Sequence, residues 1–444
     1  MELILGDCLE ELKKLPENSI DAIVTDPPAG ISFMSADWDH NKGGRDQWVK
    51  WLREVMGEAR RTLKPGGHAL VWALPRTSHW TALALEDAGF EIRDCIYHIF
   101  GSGFPKNLDL GKAVDKLQGN KREVVGRNPN SRENCDKTNT IYESGTVGKT
   151  DFITKGSSEW EGWGTALKPA VECWWLVRNP ISEKTIVENV LKWGVGGLAI
   201  DNCRVGLEGE KQPKGSAKRV YESNQWAKEK KYGDNTTTPE AGRFPANLVL
   251  ECICNEVITE PTEIKEPEEV SGGIFSPSTG KPAGRTYKGG RQIHTNPECP
   301  CYMLDRQSGL LKSGIMKAGQ KRKKSLGLGG YHDHMPDEAS AEGTYGDSGG
   351  ASRFFYQAKA SRSEKNEGCG ENKHPSVKSV SLMEFLVKLI TREGQVVLDP
   401  FAGTFTTGVA CVNLWRDFVG IEKEVEYFKI GEARMVNAIN KKDL

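Results

Sequence analysis

Short apolar strands alternate with amphipathic helices at both ends of the chain and almost nowhere between, and this pattern limits the fold more than any other feature. Leu3-Ile4-Leu5 reads as a buried strand. Asp7 with Glu10 reads as a capping box opening a helix from Leu9 to Leu15, and Ile20 to Thr25 as a second strand closing at Asp26-Pro27-Pro28. Trp48, Trp51, Leu52, Val55, Ala59 and Leu63 recur at helical spacing until Lys64-Pro65-Gly66-Gly67 stops them. His68 to Ala73 is a third strand, Thr77 to Ala88 a helix and Glu91 to Ile99 a strand. Near the other end the order repeats: helix Ser381 to Thr391, strand Val396 to Asp399, a helix through Leu414, strand Phe418 to Glu422, and a last helix from Val425 to Ile439. The rhythm predicts an α/β fold with a parallel, doubly wound sheet.

With 444 residues the chain exceeds one typical domain. From about Gly206 to Glu371 it turns rich in Gly, Ser, Pro, Lys and Glu, and its charge becomes blocky. Lys211 to Lys231 holds seven basic and two acidic residues, whereas Glu251 to Val270 holds seven Glu and one Lys. Between Asp305 and Asp333 stand Arg306, Lys312, Lys317, Lys321, Arg322, Lys323 and Lys324 with no acidic residue. The expected division is therefore 1–205 and 371–444 as two parts of one core, with 206–370 as a loop-rich insert. A net charge of −1 gives no sign of a general polyanion binder, so any nucleic-acid face must be local. Eleven cysteines in a chain of this length do not make a disulfide scaffold. No stretch approaches the ~18 to 20 apolar residues of a membrane span, and the start lacks the features of a secretory signal, so a cytoplasmic protein without a membrane partner is expected.

Two turns carry chemistry. Asp399-Pro400-Phe401-Ala402-Gly403-Thr404 follows a strand and precedes a helix, where doubly wound sheets bind ligands, and Glu422 ends the next strand, where a carboxylate can accept from ribose hydroxyls. A tight turn with a solvated glutamate is the plain alternative. Thr25-Asp26-Pro27-Pro28 also ends a strand. Read plainly it is a proline-stiffened turn. Read chemically, the Asp26 carboxylate and the Pro27 carbonyl each accept one hydrogen of an exocyclic amine. That directs the nitrogen lone pair at a methyl donor, with Pro27 and Pro28 fixing the geometry.

Asp26-Pro27-Pro28 near the start and Asp399-Pro400-Phe401-Ala402-Gly403 near the end resemble the DNA N6-adenine and N4-cytosine amino-methyltransferases, in the order of their permuted β group. Further stretches resemble phage- and prophage-type members: Gly101 to Lys106, Leu167 to Ala170, Gly242 to Asn247, Phe354 to Ser361 and His374 to Lys378. The resemblance implies a circularly permuted Rossmann-like methyltransferase sheet. Residues 1–205 would form its catalytic half, 371–444 its cofactor half and 206–370 a target-recognition insert. It implies methylation of an exocyclic amine in double-stranded DNA from S-adenosylmethionine, adenine N6 ahead of cytosine N4 because the motif begins with Asp. By the same resemblance Asp399, Phe401, Ala402, Gly403 and Thr404 line the cofactor site, Glu422 holds the ribose, Asp7 reads the cofactor's adenine, and His374 and Lys378 pack over its methionine end. Asp7 as a helix cap and Lys378 as a surface lysine are the plain readings.

Two departures stand out. Ala29 occupies the place of the usual base-stacking aromatic, leaving Phe33 and Trp38 as candidates, and Phe405 stands where a second glycine is common and would crowd or cap the site. Lys317, Lys321, Arg322, Lys323 and Lys324 are the expected phosphate contacts. Cys252, Cys254, Cys299 and Cys301 form two Cys-x-Cys pairs with His294 nearby, and either bind a structural zinc or are four unrelated thiols. Pro300-Cys301 and Glu188-Asn189-Val190 match fragments of cytosine-C5 enzymes, but in reversed order, and are read as coincidence. A catalytically silent DNA-binding scaffold is the rival reading. No nuclease motif points to a restriction endonuclease partner, and the resemblance leaves homodimer formation open.

Overall fold

The computed structural model describes residues 1–31, 39–40, 42–101, 103, 107–127, 152–205, 243–265, 286–312, 348–359 and 363–442. The chain opens β1 (Glu2–Leu5), α1 (Cys8–Leu12), β2 (Ile20–Thr25), α2 (Arg45–Thr62), β3 (Leu63–Ala73), α3 (Ser78–Asp87) and β4 (Glu91–Ile99). Next come α4 (Leu110–Gln118) and the strands β5 (Glu123–Arg127) and β6 (Phe152–Lys155), then β7 (Val171–Arg178) and α5 (Ile186–Trp193). There follow β8 (Leu248–Cys252), β9 (Val257–Lys265), β10 (Thr286–His294), α6 (Pro300–Ser308), β11 (Leu311–Lys312), β12 (Ser348–Gly349) and β13 (Tyr356–Lys359). The chain closes with α7 (Val380–Ile390), β14 (Val396–Asp399), α8 (Thr406–Asn413), β15 (Asp417–Glu422) and α9 (Val425–Lys442).

Nine strands form one sheet in the order β1-β15-β14-β2-β3-β7-β4-β8-β13. The last two strands of the chain therefore slot between the first two, which is the expected permutation. Both faces are covered, so strand residues alternate between two cores. Ile23, Ala69, Val71, Leu398 and Ile421 pack with Leu12 of α1, Leu52 and Val55 of α2 and Leu85 of α3. Val24, Leu70, Trp72, Trp174 and Val397 pack on the opposite face with Phe385 of α7, Ala410 of α8 and Met435 of α9.

The sheet departs from the expected all-parallel form at β7, which runs antiparallel to both β3 and β4. Ile99 is paired with Val171, so the chain re-enters at the end where β4 left and has to run back. β3 begins at Leu63, earlier than expected, because Lys64 to Gly67 continue the strand past a register shift at Ile20/Ala22. Gly66 has φ +80°, and a Cβ there would lie 2.2 Å from Asn189 Nδ2, which donates to the Pro65 carbonyl at 2.8 Å. Asn189 is thus a structural clamp. Of the capping box only half forms: Asp7 accepts from the Leu9 N–H at 3.0 Å, whereas Glu10 pairs with Lys13.

By contact the described chain separates into two compact units. Residues Ser102–Ala170 form a second compact unit, and the rest, insert included, forms the first. The insert's β8 and β13 pair in parallel and extend the main sheet next to β4. Within the second unit Arg122 bridges Asp115 and Glu161, tying α4 to the loop after β6.

Phe405 is turned away from the site that it was expected to crowd. It sits in the left-handed region at φ 56°, fully buried, edge-on to Phe418 and Phe428. Space for it comes from Gly431, where a Cβ would lie 2.4 Å from the ring. Truncation to Phe405→Ala should cost about 3 to 5 kcal/mol of stability through lost burial and a cavity. Urea unfolding measures this, and a loss below ~1 kcal/mol would contradict a core role.

Candidate active site

β14 and β2 lie side by side in parallel, Val397 beside Ala22 and Leu398 beside Ile23. Their carboxyl ends therefore open at one point of the sheet edge. Thr25 Oγ1 donates to Asp399 Oδ1 at 2.7 Å across this seam, with both residues buried. Thr407 Oγ1 donates to Asp399 Oδ2 at 2.6 Å and the Phe401 N–H to Oδ1 at 3.1 Å. Burial raises the Asp399 carboxyl to about 6 even though these three donors oppose it. Asp399 thus pins the turn of residues 400–404 to the end of β2 and the first turn of α8.

Asp26, the next residue of β2's exit, meets Lys378 Nζ at 2.7 Å through Oδ2. Burial pushes the Asp26 carboxyl above its ordinary value; Lys378 opposes that rise, and the negative charges of Glu172 and Asp39 add to it. Lys378 also stands 4.0 Å from Glu172 and over the Trp72 ring at 4.4 Å. Burial works to raise Glu172, yet Lys378 and His98 hold it down at about 2. One lysine is thus shared by two carboxylates, and it lies at the Asp26 turn rather than only over the neighbouring loop. The turn's continuation is clamped by Asp39, fully buried, which accepts from the Gly30 N–H at 2.7 Å and the Ile31 N–H at 3.3 Å.

The neighbouring loop is built for close approach. Gly403 sits at φ +53°, a conformation costly for other residues, and a Cβ there would lie 3.3 Å from His374 Nε2. Its N–H donates to Glu422 Oε2 at 2.8 Å, and the Ala402 N–H to the Ile421 carbonyl at 3.0 Å. Thr404 is buried, held by Arg434 Nη1, which donates to its carbonyl at 2.7 Å, and by Asn372 Nδ2, which donates to its hydroxyl at 3.2 Å. Asn372 also accepts from the His374 N–H at 3.0 Å, so the segment carrying His374 and Lys378 is tied to the loop. Burial lowers His374 to about 4, leaving it neutral near pH 7, and its ring meets Tyr427 edge-on at 4.6 Å. The Phe401 ring packs 5.6 Å from Trp51. Asp7 stands one residue past Gly6, whose N–H donates to the Glu422 carbonyl, so Asp7 reaches the same edge while capping α1.

Asp7, Asp26, His374, Lys378, Asp399 to Thr404 and Glu422, distant in sequence, are therefore brought to one edge. Phe33 and Trp38 lie outside the described residues, as do Lys317, Lys321, Arg322, Lys323 and Lys324. The four cysteines gather elsewhere, at the end of β8. Sequence reasoning passed over Glu172, Asp39, Arg434 and Asn372. Glu172 had a signal, an acid inside an apolar strand, and so did Arg434, at helical spacing with buried Gly431, Met435 and Ala438.

A family model described as DNA methylase, for N6 and N4 enzymes, matches residues 20–110 and 311–433, the two stretches that carry the paired turns. Among curated proteins, the type II methyltransferase M2.DpnII of Streptococcus pneumoniae is 46% identical over 63 residues, 14% of this chain and 24% of that protein. The DNA adenine methyltransferase YhdJ of Escherichia coli strain K12 is 42% identical over 62 residues, 14% of this chain and 21% of that one. The match thus spans about a quarter of the length of these relatives. The solved PvuII DNA methyltransferase (cytosine-N4-specific) aligns over 99% of this chain and 91% of its own at 12% identity, with a TM-score of 0.38.

Glu422 supplies a pH test. Burial raises it from the usual 4.5 to about 7, against the N–H groups of Glu424 and Gly403. The folded protein then holds its proton more tightly than the unfolded chain, so ionising Glu422 removes stability as pH climbs from about 4.5 to 7. Relative to Glu422→Gln, the native chain should lose stability across that window and run parallel above it in urea unfolding. A constant difference across the window would refute the raised value.

Proposed function

The chain belongs to the N6/N4 DNA methylase family, and from that premise we propose that it transfers a methyl group from S-adenosylmethionine to an exocyclic amine in double-stranded DNA, adenine N6 ahead of cytosine N4. The observation that carries the reading is the placement of Asp26 one residue beyond the Thr25–Asp399 contact, so that an acceptor for amine hydrogens adjoins a loop fit for a cofactor. The preference for adenine rests on Asp as the first residue of the catalytic turn.

The loop suits a nucleoside-bearing sulfonium. Gly403 leaves no side chain between the backbone and His374, and Glu422 presents an acceptor at the end of β15. Phe401, Ala402, Gly403 and Thr404 would line the cofactor, Glu422 would take its ribose hydroxyls, Asp7 its adenine, and His374 its methionine end. When bound, the sulfonium supplies an activated methyl, so no metal or covalent nucleophile is required.

The chain's own residues do the rest. Lys378 holds Asp26 Oδ2, which leaves Oδ1 to accept one amine hydrogen while the Pro27 carbonyl takes the other. Pro28 and the Asp39 clamp keep that pair from drifting. Lys378 favours the charged form of Asp26 against burial, the state that an acceptor needs. The target base must leave the duplex to reach this edge. Phe33 or Trp38 would stack on it in place of the aromatic absent at Ala29. Lys317, Lys321, Arg322, Lys323 and Lys324, in a 206–370 target-recognition insert, would meet phosphate. Because Phe405 is turned into the core, it lends no support to a catalytically silent scaffold. Among the described residues no helix is long and apolar enough to cross a membrane.

The test is transfer of labelled methyl to mixed-sequence duplex DNA, followed by nucleoside digestion and mass spectrometry. N6-methyladenine is expected, and Asp26→Ala should lower transfer at least ~10²-fold while cofactor binding by calorimetry persists. N4-methylcytosine would overturn the base. Substantial activity in Asp26→Ala would overturn the mechanism.

A further inference from the structure

The cysteines that methyl transfer does not use converge beside the outer strands of the sheet. Cys252 ends β8, His294 ends β10, Cys299 caps α6 and Cys301 lies in the first turn of α6. One ligand atom from each lies within 4.8 Å of every other. All four are buried, none more than 4% exposed, and the cysteines are free thiols. His294 Nδ1 stands 3.4 Å from Cys252 Sγ. A tetrahedral zinc with Zn–S of about 2.3 Å and Zn–N of about 2.0 Å has a sulfur–nitrogen edge of about 3.5 Å.

We propose that Cys252, His294, Cys299 and Cys301 hold one structural zinc ion. Four separated thiols would account for burial, because a free cysteine packs as a small hydrophobe. They do not account for the convergence of three of them on an imidazole. Cys299 at a helix start is placed where a thiolate is favoured. The ligand set differs from the four cysteines that the sequence suggests. His294 replaces Cys254, whose sulfur stands 3.7 Å from Nδ1, accepts the Asn296 N–H at 3.5 Å and lies outside the mutually close group.

The ion has a definite structural task. The apolar cluster here is small, with Leu250 and the four cysteines as its buried members. A cluster of that size is weak support for the β9–β10 hairpin and α6. Zinc would fasten the end of the hairpin and the start of α6 to β8, which is a strand of the main sheet. Three thiolates with one imidazole form a soft donor set, which suits zinc over calcium or magnesium.

Elemental mass spectrometry of the full-length chain, with cobalt substitution alongside, tests this. About one zinc per chain is expected, together with a thiolate–cobalt charge-transfer band of tetrahedral type when Co²⁺ replaces it. Cys301→Ser and His294→Ala should lose the metal, while Cys254→Ser keeps it. Because the first two variants can fail to fold, the cobalt spectrum of the unmodified chain stands as an independent readout. Metal-free protein that also gives no such spectrum overturns the site. Loss of zinc in Cys254→Ser with retention in His294→Ala overturns the ligand set.

Discussion

The hydrogen bond from Thr25 to Asp399 joins residues 374 positions apart and closes the sheet at the seam between its first and last parts. Everything proposed for the site depends on it. β2 and β14 are neighbours, so the turn after each opens at the same edge. The shared contact sets how far apart Asp26 and the Phe401-to-Thr404 loop stand. A second tie crosses the seam just outside, where Lys378 grips Asp26. The buried network is fully engaged at Asp399, with three donors on one carboxylate, and that is what makes a charged group tolerable there.

The two carboxylates at the seam have divided roles because their surroundings differ. Asp399 is enclosed by hydroxyls and a backbone N–H and acts as a pin. Asp26 keeps partial exposure and is balanced by a cation that it shares with Glu172. Glu422 is the third carboxylate at this edge, held by Gly403 and Glu424 through one N–H each. An acid held by backbone N–H groups, an acid enclosed by hydroxyls and an acid paired with lysine thus stand in that order at the ends of the adjacent strands β15, β14 and β2.

Much of this was legible in the sequence. β4 and β14 match the expected bounds, and β15 and α7 shift by a residue or so, because alternation and helical spacing mark strands and helices that are buried against a sheet. The two turns were legible through Pro and Gly at strand ends. Other features were not. The antiparallel course of β7 depends on where the chain re-enters after residue 170, which its own apolar pattern does not encode. The direction of Phe405 follows from one positive φ, which a residue of that type rarely adopts. Asp39 sits at no periodic position, and Lys378 is 352 positions from Asp26 (378 − 26), so no spacing rule joins them. His294 lies near the cysteines in sequence, but only its place at the end of β10 brings it into one group with Cys252, Cys299 and Cys301.

The most direct test of the closed seam is a double-mutant cycle between Thr25→Val and Asp399→Ala, read by urea unfolding. A hydrogen bond to a buried carboxylate predicts a coupling of about 1 to 3 kcal/mol between the two positions. Additive losses, with coupling near zero, would show that the two ends of the chain are not joined through this contact.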